Sequence, residues 1–342
     1  MRKTFVGLLI LMLALSLIVA GCGGQQEPDG QENQNENQEG EVDEQTGPVR
    51  LLMATGGVGG TYYPLGGAMA KVWSENIDGV LVTVQSTGAS IENIRLLATD
   101  ETELAMAMNG PGQEAVNGGD NFPEPLTNFS AIGVIYPEVM QVIAPKGNGV
   151  EKIEDLIGKR VSIGPPGSGT AASAERILEA YGIDPDKDIT KFQDNFADAA
   201  DKLKDGQLDA AFAVLAVPAA NVMEITTSTP VTVVDISGEG LDKLLEMEPA
   251  FSPYEIPGGT YEGQDDTAYT VSQWAVLYVQ DDISEDVVYN LTKVMYENTD
   301  QIAAAHARGE QILLENAVKG IAPVKFHPGA ARFYEEKGIS ID

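Results

Sequence analysis

The chain has 342 residues, with 52 acidic side chains against 21 basic ones and a formal net charge of −31. So large a negative excess excludes nucleic acid as a partner, because neutralising phosphates needs Lys and Arg clusters that are missing here, and it keeps the body off an anionic membrane surface. A single cysteine, Cys22, excludes an intrachain disulfide and a thiolate metal site, while His306 and His327 alone give poor support to a zinc site or a His-based triad. No metal or cofactor is expected.

Arg2 and Lys3 precede an apolar run from Phe5 to Ala20, the two parts of a secretory signal. At 16 residues the run falls short of the ~20 that cross a bilayer as a helix. Val19-Ala20-Gly21-Cys22 follows directly and is similar to the bacterial lipoprotein cleavage box, which makes Cys22 the expected lipidation site. Residues 1–21 then read as a signal peptide. Its loss would move the formal charge from −31 to −33, since Arg2 and Lys3 leave with it. Residues 22–48 are rich in Gln, Glu, Asn, Gly and Asp, cannot bury enough surface to fold, and read as a disordered acidic tether. A flexible coil of that length spans roughly 25–30 Å.

The remaining ~290 residues suffice for one large domain or two ordinary ones. Val49–Ala54 reads as a buried strand, residues 63–73 as a helix with Pro64 in its first turn, and residues 81–85 as a second strand. Ser90 is placed to cap a helix over residues 91–98, Leu104–Met108 is a third strand, and residues 131–144 hold a longer extended stretch. The series then restarts: a short helix at 153–157, a strand at 160–163, and helices at 171–181 and 196–204. A strand at 208–214, an extended run at 231–235, a helix at 241–247, a strand at 273–279 and a long helical region over 285–308 complete it. Two alternating series imply α/β sheets in two lobes. The expected lobes are 49–141 with 270–342, and 142–269.

Three strand-to-helix loops can carry chemistry. Gly56-Gly57-Val58-Gly59-Gly60-Thr61-Tyr62 lets backbone N–H groups approach a ligand at a helix N-terminus, which favours carboxylate or phosphate. A dinucleotide fingerprint starting at Gly57 fails because Tyr62 stands where glycine is needed. Ser86-Thr87-Gly88-Ala89-Ser90 supplies three hydroxyls, with Ser90 also a cap candidate. Pro165-Pro166-Gly167-Ser168-Gly169-Thr170 repeats the device in the second series. Facing each other, such loops suit an anionic solute in a closing cleft. Asn109, Tyr136 and the turn from Leu215 to Pro218 are secondary candidates.

In this order the loops resemble the TAXI family of solute receptors, which serve tripartite ATP-independent periplasmic (TRAP) transporters. The matching stretches are Gly56–Pro64 with Gly66-Gly67, Ser86–Leu97, Gly158–Thr170, Gly258–Gln264 and Val288–Lys293. The resemblance implies a type II periplasmic-binding-protein fold and a small carboxylate ligand, such as glutamate, a glutamine-like amino acid or a dicarboxylate. Its binding loops carry over to Gly60, Thr61 and Tyr62, to Ser86, Thr87, Ala89 and Ser90, and to Pro166, Gly167, Ser168, Gly169 and Thr170. Departures are Ala89 where glycine is common, Asn109 where an acidic or amide residue with a different following loop is usual, and no glycine before Pro218. The expected role is a lipid-anchored receptor delivering its solute to a TRAP permease. Alternatives are the receptor of an ABC importer, a ligand-presenting partner of a sensor kinase, and an extracytoplasmic enzyme using the serine loops, which would lack a nearby general base.

Overall fold

The computed structural model describes residues 47–341. The expected signal peptide, Cys22 and nearly all of the acidic tether lie outside these residues. The chain opens with β1 (Val49–Ala54), α1 (Tyr62–Asn76), β2 (Val80–Gln85), α2 (Ser90–Ala98), β3 (Leu104–Met108) and α3 (Asn109–Asn117). β1 lies between β2 and β3 and is parallel to both, which is why its inner residues are apolar on both faces. β4 (Phe129–Pro145) then carries the chain into a second group: β5 (Arg160–Ser162), α4 (Gly169–Ala180), β6 (Thr190–Phe192), α5 (Phe196–Lys204), β7 (Ala210–Leu215) and α6 (Ala220–Thr226). β8 (Val231–Val234), α7 (Gly238–Met247) and β9 (Ser252–Ile256) complete that group. β10 (Ala268–Gln280) returns to the first, where α8 (Glu285–Glu297), α9 (Thr299–Ala305) and α10 (Pro328–Glu336) close the chain.

The sheet runs β2-β1-β3-β10-β4-β7-β5-β6, with β8 beside β4 and β9 beside β10. β4 pairs with β10 from Phe129 to Val139, then with β7 and β8 from Val139 to Pro145. Pro137, Glu138 and Val139 therefore sit opposite Trp274, Gln273 and Ser272 where both long strands pass from one group to the other. The hydrophobic cores divide at the same place. One, around Met69 and Trp73, takes in Leu291, Met295, Phe333 and Tyr334 from the C-terminal helices. A second on the other face of those strands gathers Ile94, Leu97, Ala107 and Tyr278. Two more, around Ile177 with Phe212 and around Leu203 with Val222, draw on residues 139–271.

Several elements depart from expectation. The helical region over 285–308 is broken at Asn298, which ends α8 and begins α9, and Ala307–Gln311 is a 3-10 turn. The helix expected at 153–157 is a 3-10 turn over Ile153–Leu156. α3 forms across Gly110-Pro111-Gly112, a stretch with no helical signal. Gly112 is needed there because a Cβ would stand 2.2 Å from Tyr278 Oη. β6, α6, β9 and α10 likewise form where the sequence pattern gives no element. β9 contains Pro253 and pairs with β10 alone, the edge position at which a strand tolerates proline. Ser90 does not cap α2: Ala89 is the cap residue, and Ser90 Oγ accepts from Met108 N at 3.1 Å.

Candidate ligand-binding cleft

Four helices aim their N-termini at one cavity. The residues at their starts, Thr61 of α1, Ala89 of α2, Ser168 of α4 and Asn195 of α5, all line it. A helix N-terminus is worth roughly half a positive charge. One N–H at the starts of α2, α4 and α5 is already taken, by Gly167 O, Ser168 Oγ and Asn195 Oδ1, yet the convergence makes the lining electropositive without any cationic side chain. Among the described residues no Lys, Arg or His lines the cavity, and Glu138 is its one charged side chain.

Glu138 sits where β4 crosses between the groups and is 5% exposed. Its Oε2 accepts from Tyr62 Oη and its Oε1 from Tyr136 Oη, each at 2.8 Å. The two tyrosine rings meet edge-on with centroids 6.3 Å apart. Burial pushes the Glu138 carboxyl up to about 7, against the lowering pull of the two hydroxyls. Burial first, and then the neighbouring Glu138 charge, push both tyrosines well above their ordinary range, so they remain protonated donors.

The two sides of the cleft touch. Glu92 N donates to Gly167 O at 3.1 Å, Asn221 Nδ2 to Gly59 O at 2.5 Å, and Ala216 N to Thr61 Oγ1 at 3.3 Å. Gly169 lies so near Ser90 that a Cβ on it would stand 2.8 Å from Ser90 Oγ.

Of the sequence candidates, Gly60, Thr61, Tyr62, Ala89, Ser90, Ser168, Gly169 and Thr170 line the cavity. Ser86, Thr87, Asn109, Tyr136, Pro166 and Gly167 do not. Ser86 Oγ donates to Gly56 O at 3.0 Å, and Thr87 Oγ1 lies 3.0 Å from Thr55 O and 2.5 Å from Asn93 Oδ1, so both hydroxyls tie one loop to the next. Asn109 Nδ2 donates to Gly320 O at 3.0 Å and its Oδ1 accepts from Trp274 N at 2.9 Å. Tyr136 stands behind Glu138, and Gly167 O takes the Glu92 amide. Ser168 is a helix cap whose Oγ donates to Pro165 O at 2.7 Å and accepts from Ala171 N at 3.0 Å. His306 and His327 lie outside the cavity, each accepting a backbone N–H, from Arg308 and Gly329. Glu138, Asn195, Phe196 and Phe212 also line the cavity, outside the loop motifs. The one acid in a mostly apolar strand signals Glu138, and Asn195 followed by Asp198 is a readable cap, with Asn195 Oδ1 accepting from Asp198 N at 3.1 Å.

Ala89 has φ 80° and ψ −146°, a region that glycine alone enters freely. Such strain costs on the order of 1–3 kcal/mol, part of which glycine returns through the greater freedom of the unfolded chain. Ala89→Gly is expected to raise stability by about 1 kcal/mol, read as an upward Tm shift of about 2–4 °C. An unchanged or lower Tm would refute the strain.

A model of the NMT1-like family matches residues 53–338. The chain belongs to the NMT1-like family. Among solved structures this NMT1-like chain is similar to MatC of Rhodopseudomonas palustris with bound malate, at TM-score 0.56 and 15% identity, over 85% of this chain and 97% of that one. It is also similar to a protein of Listeria monocytogenes assigned to L-cystine ABC transport, at TM-score 0.50 and 14% identity, over 79% and 98%. A Bordetella bronchiseptica protein matches at TM-score 0.53 and 14% identity, over 85% and 98%. The NMT1-like chain therefore has the expected type II periplasmic-binding-protein fold, two α/β lobes flanking a ligand cleft.

Proposed function

We propose that this chain is an extracytoplasmic receptor that closes its two lobes over a small carboxylate and passes it to a membrane permease, without catalysing a reaction. The carrying observation is the convergence of four helix N-termini on a cavity that, among the described residues, has no cationic side chain. That lining recognises a carboxylate through backbone donors, and Thr170 adds a hydroxyl at the start of α4. Glutamate, a glutamine-like amino acid or a dicarboxylate fits, and the malate held by MatC supports the carboxylate class. Anchoring through a lipid on Cys22 would keep the receptor near the membrane, and among the described residues no helix is long and apolar enough to cross one. The lobes are proposed to hinge where β4 and β10 cross, near Glu138 and Gln273.

For the permease, two readings have support. The Listeria protein favours an ABC importer, whereas the TRAP reading rests on the loop motifs alone; the ABC reading is the better supported. Crosslinking in native membranes separates them, by recovering either an ATPase-bearing importer or an ion-driven multi-span subunit.

The solute class is tested by thermal shift. At a ligand concentration of about 100 times Kd, stabilisation is about 2.7 kcal/mol, a rise of roughly 5 °C or more in Tm. No shift with any amino acid or dicarboxylate would sink the carboxylate reading.

A further inference from the structure

We propose that Glu138 receives a protonated amine of the bound solute, so that the cleft selects a small zwitterion over a carboxylate lacking an amine. This deepens the receptor reading above and rests on it.

Glu138 is the cavity's one charged side chain among the described residues, and it is buried. Each of its oxygens accepts a single tyrosine hydroxyl at 2.8 Å. A carboxylate has about four acceptor positions, so two remain for another donor. The two tyrosine contacts leave room at each oxygen, so the ionised form can accept a further donor. An ionised acid buried without a cation is costly, and the lining provides none. An ammonium group on the solute would supply it. Burial that pushes the Glu138 carboxyl up to about 7 fits a carboxyl whose charge has no counter-charge beside it.

The rest of the cavity has the opposite sign. The starts of α1, α2, α4 and α5 offer backbone donors for a carboxylate. One acidic point within a ring of positive helix ends matches a molecule bearing both charges. A dicarboxylate lacking an amine still finds the helix ends, but it would bring a second anion against Glu138 and bind more weakly than its amino-acid counterpart.

Calorimetry on the purified chain, with paired probes, tests this: L-glutamate against glutarate, L-aspartate against succinate, and L-glutamine against glutaramate. At least one amino acid is expected to bind about 100-fold more tightly than its amine-free partner, as befits a site built around a specific charged contact. Glu138→Gln is expected to lower that amino acid's affinity by about 30-fold or more while leaving the amine-free partner unchanged or tighter. Equal or tighter binding of an amine-free member by the wild type, which needs no variant, overturns the inference and leaves the receptor reading standing. Equal loss for both partners in the variant overturns it too, since that is what a purely structural role gives. If no probe binds and no solute co-purifies with the chain, the receptor reading falls and this inference with it.

Discussion

Glu138→Gln is expected to make the protein more stable above neutral pH, by about 3 kcal/mol at pH 8, while changing little at pH 4.5. The Glu138 carboxyl is raised from 4.5 in the unfolded chain to about 7 in the fold. Between those values the folded state holds a proton that the unfolded state has released, so stability falls as pH rises through the window. About 2.5 pH units at 1.36 kcal/mol each give the figure. Glutamine resembles the neutral acid. Its oxygen can accept from one tyrosine and its amide can donate to the other, so both hydroxyls keep a partner. Urea unfolding of both proteins from pH 4.5 to 8 reads the effect as a difference in slope, which cancels other groups titrating in that range. Parallel curves would mean that the carboxyl is hydrated rather than buried. A gain in stability coupled to a loss of amino-acid affinity would place Glu138 among residues kept for function at a cost in stability.

Gly169→Val should weaken binding of any cleft ligand by about 100-fold with little change in ligand-free stability. Gly169 is the first residue of α4, and no positive φ holds the position to glycine. What it needs is space: a Cβ there would stand 2.7 Å from Met108 Sδ and 3.0 Å from Ser90 Cβ, both on the opposite lobe. Valine can be housed once the lobes part, so its cost falls on the closed form. When the binding-competent form is reduced to about one part in a hundred, the apparent Kd rises by the same factor. Calorimetry gives the affinity, and small-angle scattering should show a radius of gyration that no longer shrinks on adding ligand. Undiminished affinity would show that ligand-bound lobes stay apart at this point.

Sequence patterns reveal the glycine loops because glycine clusters between a strand and a helix are local, and Thr61, Ala89 and Ser168 indeed begin helices at the cavity. They do not reveal how a hydroxyl is spent. Ser86 and Thr87 look like anion donors until the neighbouring carbonyls of Gly56 and Thr55 are in place, and those lie about thirty residues away. Asn109 looks like a ligand contact until Gly320 and Trp274 are brought to it by the return of β10. Glu138 was readable from its setting. Residues 136 and 138 share a face of a strand by its two-residue period, so Tyr136 and Glu138 form a pair that alternation alone suggests. The missing member, Tyr62, comes from a distant helix. α3 escaped notice because its glycines serve tertiary fit, and tertiary fit overrides local propensity.

The double crossing of β4 and β10 also bears on the order in which the molecule can be built. Trp73 lies in the first quarter of the chain, yet its Nε1 donates to Leu291 O at 2.9 Å, and its core is completed by Phe333 and Tyr334. A ribosome or an export channel releasing the chain from its N-terminus therefore delivers Met69 and Trp73 with β1–β4 as partial cover, long before the C-terminal helices that complete it. The segment from Val139 to Val271, whose two main cores lie within that span, can settle in the interval. Early apolar surface that waits for late helices is a natural client for a holding chaperone, and shortening the chain by α10 alone would leave it waiting indefinitely.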